Sequence, residues 1–274
     1  MTPNQIAEVF REARLTASPL GVYPDAAIPE DLDSAYRIQT IAISSWPGPI
    51  GGWKVAAIQP QWRERYPAER LAGPVFAANV WDGGQPVVRL PVIPGGYAAV
   101  EVEFMLRIGK PLPSGTRFDD AQALREYVDR VHAGIELAAS PLAGLSALGP
   151  GAVISDFGNN GGIIVGPELS GFFDKPADTW DTRIELNGQP AGDGNAARVP
   201  GGVLEALRFL ANHLAERGIG LNTGDWISTG ATTGIHAVEV GDTFIARFGD
   251  HATIHGEIAP ALALLNEARE PHRS

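Results

Sequence analysis

Apolar residues recur along the chain with two different periods. In residues 4–15, Ile6, Val9, Phe10 and Ala13 fall at helical spacing, and in 30–44 Leu32, Tyr36, Gln39 and Ile43 do the same after a Pro29-Glu30 start. Two amphipathic helices are predicted to open the chain. Beyond the Gly-rich break at 48–52 the period shortens toward two. A strand is predicted from Gly52 to Ile58, with others over 86–90, 98–108, 133–139, 161–166, 182–187, 225–229, 243–248 and 251–258. Asn187-Gly188 signals a hairpin, because these two residue types tolerate the positive φ angles of a two-residue turn. Two more helices are predicted: 119–131, with Asp119 and Asp120 at its positive end, and 201–217, opened by Pro200-Gly201 and closed by Gly218.

Strands and helices do not alternate regularly, so neither a (β/α)8 barrel nor a doubly wound sheet fits. The pattern predicts an α+β fold with a predominantly antiparallel or mixed sheet. The change of period divides the chain into a helical α/β region at 1–80 and a β-rich region at 81–274. No internal repeat or nucleotide-binding glycine motif interrupts this pattern. The polar EAREPHRS end is expected to fray.

Composition narrows the partners. Of 274 residues, 21 are Lys or Arg and 32 are Asp or Glu, a formal charge of −11 that opposes a phosphate backbone or an anionic lipid surface. Neither nucleic acid nor membrane is an expected partner. The absence of Cys removes disulfides, zinc-thiolate sites, iron–sulfur clusters and a thiol nucleophile together, so any metal must take oxygen or imidazole ligands. The start lacks a basic segment followed by an apolar core, and the expected location is the cytoplasm.

Within that frame three carboxylates stand out. In the strand around Val100-Glu101-Val102-Glu103-Phe104 the side chains alternate, so Glu101 and Glu103 leave one face while Val100, Val102 and Phe104 leave the other. Such a pair also suits the wet face of an amphipathic strand. A third acid, Glu136, sits alone in the small apolar run Ala133-Gly134-Ile135-Glu136-Leu137, where a charge is costly unless it is used. If the two strands meet, the acids make an all-oxygen site for a hard divalent cation, Mg2+ or Mn2+. Lys54, in Gly51-Gly52-Trp53-Lys54-Val55, can act as proton carrier or anion clamp near such a site, or can snorkel from its strand. No G-x-S-x-G elbow surrounds Ser155 or Ser228, which disfavours a serine hydrolase. His251 and His255 share a face without a compelling acidic partner, and Asp225 is expected to fix a turn.

These segments occur in a recognisable order: Gly52-Trp53-Lys54-Val55, the Glu101/Glu103 strand, Gly134-Ile135-Glu136-Leu137, Asn187-Gly188, Leu210-Ala211-Asn212, and Gly224-Asp225-Trp226-Ile227-Ser228-Thr229-Gly230. Over residues 30–258 the set resembles the 2-keto-4-pentenoate hydratase branch of the fumarylacetoacetate hydrolase superfamily. The resemblance implies a mixed-sheet, β-roll catalytic domain behind a smaller N-terminal α/β region. It also implies Mg2+ or Mn2+ held by Glu101, Glu103 and Glu136, with Lys54 as catalytic residue. Asp156, Asn160 and Thr229 are expected to bind the substrate, a small anionic 2-oxo or 2-hydroxy acid, in a homo-oligomer. The implied reaction is hydration of a 2-hydroxy-2,4-dienoate; decarboxylation of a 2-oxo-3-enedioate, C–C hydrolysis, tautomerisation and a non-catalytic binding or assembly role are the alternatives. Two stretches depart from the family pattern: Ser155-Asp156-Phe157-Gly158-Asn159-Asn160-Gly161-Gly162, and Gln61 to Pro67, whose Trp62 and Tyr66 either reshape the pocket or only pack.

Overall fold

The computed structural model describes residues 1–261. The polar end expected to fray lies outside them. Helix α1 (Pro3–Leu15) begins with a capping box, in which Gln5 N donates to Thr2 Oγ1 at 3.3 Å and Thr2 N donates to Gln5 Oε1 at 2.9 Å. Helix α2 (Leu32–Ser44) is capped by Asp31, which accepts from Ser34 N at 2.7 Å. The strands that follow are β1 (Ile50–Ala57), β2 (Arg70–Phe76), β3 (Val80–Asp82), β4 (Val88–Val92), β5 (Tyr97–Ile108) and β6 (Val128–Ser140). A short helix α3 (Pro150–Ser155) leads into β7 (Asn160–Glu168), β8 (Asp181–Leu186) and β9 (Gln189–Asn195). Helix α4 (Val203–Glu216) precedes β10 (Trp226–Ser228), β11 (His236–Ala237), β12 (Thr243–Phe248) and β13 (Ala252–Pro260).

The strands form two mixed sheets. The larger runs β2-β1-β10-β5-β6-β7-β3, with β11 also on β5, and the smaller runs β4-β13-β12-β8-β9. The larger sheet therefore takes strands from both sides of residue 80. Its inner face carries Val100, Val102 and Phe104, which share a core with Leu90, Ile184, Phe244, Phe248 and Ile254 of the smaller sheet. Helix α4 closes that core with Leu207, Leu210 and Leu214. Helices α1 and α2 build a separate cluster from Ile6, Phe10, Ile38 and Ala42 against Phe76 and Phe157. No helix among the described residues is long and apolar enough to cross a membrane.

Most predicted elements form, including the β8–β9 hairpin, where Asn187 (φ 50°) and Gly188 (φ 73°) make the turn. The predicted helix at 119–131 does not. Asp120 caps only a 3-10 stretch, Ala121–Tyr127, and from Val128 onward the chain is strand. Pairing with β5, which begins at Ile108↔Val128, supplies the backbone partners a helix would have supplied and outweighs local propensity. Strand β2 was not predicted, because all seven of its residues are buried and Leu71-Ala72-Gly73-Pro74 shows no alternation.

Candidate active site

Register brings the acids together. Across the antiparallel β5–β6 pair Glu101 lies opposite Glu136 and Glu103 opposite Gly134. Val100, Val102 and Phe104 face the core with no exposure, so alternation sends Glu101 and Glu103 to the other face. That face is not wet: Glu103 and Glu136 are fully buried and Glu101 is 7% exposed. One carboxylate oxygen from each lies within 4.8 Å of the other two, and this is the one such triad of potential metal ligands among the described residues.

Lys54 enters from β1, whose parallel pairing with β10 sets Lys54 beside Ser228. Gly52 makes the close approach possible, since a Cβ there would sit 2.1 Å from the Trp226 carbonyl oxygen. The buried Lys54 Nζ is 3.3 Å from Glu136 Oε1. The same oxygen accepts from Asn160 Nδ2 at 3.0 Å. Glu103 Oε2 accepts from Ser228 Oγ at 2.5 Å and from Gly230 N at 2.8 Å. The protein thus fixes one oxygen of each of these two carboxylates. The other two, Glu103 Oε1 and Glu136 Oε2, are buried with no hydrogen-bond partner. An orphaned buried carboxylate oxygen is costly, and an all-oxygen set with two of them fits a hard divalent cation.

The electrostatics are those of a site short of positive charge. Burial first, then the charge of Glu136, pushes Glu101 up to about 8, with Lys54 opposing. Burial, then Glu136 and Glu101, holds Glu103 well above the usual carboxylate range despite the bonds from Ser228 and Gly230. For Lys54, burial pulls the pKa down, but Glu136, Glu101 and Glu103 together outweigh it and the net shift is upward. Lys54 is therefore an ammonium at neutral pH.

A clasp from the first helix secures the rim. Arg14 of α1 binds Asp156 Oδ1 through Nε at 2.5 Å, and donates to the carbonyl oxygens of Asn160 at 2.9 Å and Ala139 at 2.7 Å. A cavity of about 390 Å³ opens beside the triad, lined there by Lys54, Tyr97, Glu101, Asn159 and Thr229. Thr229 Oγ1 donates to the Phe104 carbonyl at 2.8 Å and keeps its lone pairs. Asp156 and Asn160 stand behind this lining, the first paired to Arg14 and the second to Glu136. Trp62 lines the cavity, whereas Tyr66 packs in the core and donates to the Pro29 carbonyl at 2.6 Å. A larger cleft between α2 and α4, about 610 Å³, holds none of the three acids.

Sequence reasoning missed Arg14, Asn159, Tyr97, Arg70 and Arg198. Arg14 gives no local signal, being 142 residues from Asp156. Asn159 could have been found, because an Asn-Asn pair ahead of a strand is suited to the positive φ it adopts, 55°. His251 packs on Trp180 at 4.8 Å between ring centroids and His255 is exposed on β13, and neither joins a group of three potential metal ligands among the described residues. Asp225 fixes its turn as expected, accepting from Asn222 N at 2.7 Å.

Two mixed sheets of this order, with few helices, make a fold that solved structures share. Its likeness to 4-oxalocrotonate decarboxylase from Pseudomonas putida G7, in a complex with magnesium and adipate, covers 93% of this chain and 97% of that one, at a TM-score of 0.75 and 20% identity. Fumarylpyruvate hydrolase from Pseudomonas aeruginosa, in complex with Mn2+ and pyruvate, matches 78% of this chain and 91% of its own at a TM-score of 0.56 and 16% identity. In sequence, 97 residues are 33% identical to a 4-oxalocrotonate decarboxylase of Pseudomonas putida, a stretch covering 35% of this chain and 37% of that protein. No protein-family model matches the chain.

Proposed function

We propose that the chain is a divalent-cation-dependent enzyme of the fumarylacetoacetate hydrolase superfamily that decarboxylates a short 2-oxo-3-enedioate. The observation that carries the reading is the buried triad, with two unpartnered oxygens beside a charged lysine, at the end of a small cavity. Decarboxylation takes precedence over the hydration implied by the sequence because both the sequence match and the fold match covering most of the chain are to 4-oxalocrotonate decarboxylases. Homo-oligomeric assembly belongs to the same reading, and light scattering on the eluted protein gives the mass that tests it.

Glu101, Glu103 and Glu136 would hold Mg2+ or Mn2+, which supplies Lewis-acid stabilisation to an enolate oxygen when bound. The residues of the chain do the rest. The Lys54 ammonium offers a fixed positive charge where negative charge develops at the substrate's C2 oxygen. As the C5–C6 bond breaks, its electron pair moves through the conjugated chain to that oxygen and C6 departs as CO2. Lys54 then delivers a proton to C3, leaving 2-oxopent-4-enoate. Asn159 lines the cavity and offers its amide N–H to the substrate carboxylate, Thr229 lines it with its hydroxyl proton already given to the Phe104 carbonyl, and Asn160 holds Glu136.

The test supplies 2-oxohex-3-enedioate to the protein with Mg2+ and after EDTA, following CO2 and the product mass. Metal-dependent CO2 release with 2-oxopent-4-enoate is expected. Gain of one water by 2-hydroxypenta-2,4-dienoate, with no CO2 from the diacid, would replace the reading with a hydratase. No turnover of either compound would leave a binding or assembly protein.

A further inference from the structure

Helix α4 has two faces. Leu207, Leu210 and Leu214 close the core, while Glu205, Arg208, Phe209, Asn212, His213 and Arg217 recur at i, i+3 and i+4 on the other side and form one wall of the cleft of about 610 Å³. Helix α2 supplies the facing wall through Asp33, Tyr36, Arg37 and Thr40, and the chain from Ala68 to Arg70 lines the cleft between them. Three of its four acids are already engaged. Glu205 Oε1 pairs with Arg208 at 2.6 Å, Glu216 Oε1 pairs with Arg117 at 2.5 Å, and Glu69, with its side chain 77% exposed, stands 3.8 Å from Arg70. Asp33, the fourth, is exposed on the first turn of α2.

The donors are not spent. Arg70 lies opposite Ala57 in the β1–β2 ladder, so its side chain takes the sheet face of core residue Val55, where α4 packs, and not the face of Lys54. It is 6% exposed, and of the five N–H groups of its guanidinium one bonds the Pro200 carbonyl oxygen, with no other hydrogen bond among the described residues. Arg217 is half-buried and gives its bonds to neutral groups, Nη1 to His213 Nε2 at 3.1 Å and Nη2 to Thr40 Oγ1 at 2.5 Å, and it forms no ion pair among the described residues. For both arginines burial pulls the pKa down further than their neighbours restore it. Because an arginine can only donate, His213 Nε2 accepts. Burial and then Arg217 push this imidazole down to about 3, so it is neutral and carries its proton on Nδ1, an N–H with no partner among the described residues. Unspent donors beside engaged acids match an acceptor-rich anion. Phe209 and His213 add a ring surface, standing nearly parallel at 9° and 5.7 Å between centroids, with Leu32 and Ala68 also in the lining.

We propose that the cleft between α2 and α4 is a second ligand site, separate from the triad cavity, which takes a small aryl carboxylate: the carboxylate accepts from Arg70 and from His213 Nδ1–H under the charge of Arg217, and the ring packs on Phe209. The fork of a guanidinium meets a carboxylate through two parallel hydrogen bonds, which is what the free N–H groups of Arg70 offer. The site holds none of the three acids and is independent of the reaction proposed above.

The test titrates benzoate, benzamide and acetate into the full-length protein in EDTA, followed by calorimetry and by backbone amide shifts in NMR. Benzoate is expected to bind at least about tenfold more tightly than benzamide, which keeps the ring without the charge, and than acetate, which keeps the charge without the ring. The largest shifts are expected at Arg37, Phe209 and His213. R70Q is expected to lower benzoate affinity about tenfold and to leave benzamide unchanged. Absent benzoate binding, equal affinity for either control, benzoate affinity unchanged in R70Q, or largest shifts at Lys54, Glu101 and Thr229 around the triad cavity overturns the site. Should the buried R70Q fail to fold, the shift map and the two affinity ratios decide the outcome on the unsubstituted chain.

Discussion

Glu103 shows what the fold asks of a single residue. One oxygen is held by Ser228 and Gly230, the other faces a buried space without a partner, and the carboxyl is pushed well above its usual range. Glu103→Gln keeps the accepting oxygen and removes the charge. It is expected to weaken Mg2+ binding by about a hundredfold or more, measured by calorimetry, with a melting temperature near that of wild type at neutral pH. The raised carboxyls also fix a pH dependence. Glu101 titrates near 8 in the folded state and 4.5 is its ordinary value, so between these the folded protein holds more protons than the unfolded one. Stability of the metal-free protein therefore falls as pH rises through that window. The raised pKa of Lys54 acts in the same sense at higher pH, its contribution being lost above the folded value. Melting metal-free protein from pH ~5 to ~8 checks this, and a flat or rising profile contradicts it.

At the scale of elements, α1 is a structural part of the site. Arg14 reaches from its last turn to buried Asp156 and to the carbonyl of Asn160, and Asn160 in turn holds Glu136. Arg14→Ala leaves Asp156 as a buried charge without its partner and is expected to cost about 3–5 kcal/mol in denaturant unfolding. Adding Asp156→Asn removes the stranded charge, so the double variant should regain part of the loss. No recovery would mean that the helix is held by its apolar face alone. The β8–β9 hairpin makes a second, local test. Gly188→Val places a β-branched residue at φ 73° and should cost about 1–2 kcal/mol, with little effect on metal affinity, because the turn lies outside the cavity lining.

For the whole molecule, the site is a seam between distant parts of the larger sheet. Strand β10 lies between β1 and β5, so Lys54 and the Glu101/Glu103 strand meet only after a segment more than a hundred residues further on has been placed. A cation binding the assembled triad must favour the folded chain. Mg2+ at a hundred times its Kd is expected to stabilise the protein by about 2.7 kcal/mol, with a smaller gain at lower pH where Glu101 holds its proton. Thermal melts with EDTA and with graded Mg2+ read this directly, and an unmoved transition would show that the triad does not take the ion.

The sequence by itself determined what depends on near neighbours. Helical spacing marked α1, α2 and α4, Asn187-Gly188 marked a turn, and alternation put Glu101 and Glu103 on one face of β5. It also showed Glu136 as a lone charge in an apolar strand, a conflict that only a partner could resolve. Tertiary structure decided the rest, because partners and burial come from residues far apart along the chain. The register of β5 on β6 set Glu136 opposite Glu101, and the same pairing turned the expected helix at 119–131 into a 3-10 stretch and the start of β6. Burial and then the charge of Glu136, and not the residue type, raised Glu101 to about 8, and burial left one oxygen of Glu103 short of a hydrogen bond. Arg14, Arg70 and Arg198 were ordinary surface residues by composition. Arg14 became a clasp, and Arg70 and Arg198 part of the cavity lining, only once α1, β2 and the segment before α4 had folded against the larger sheet.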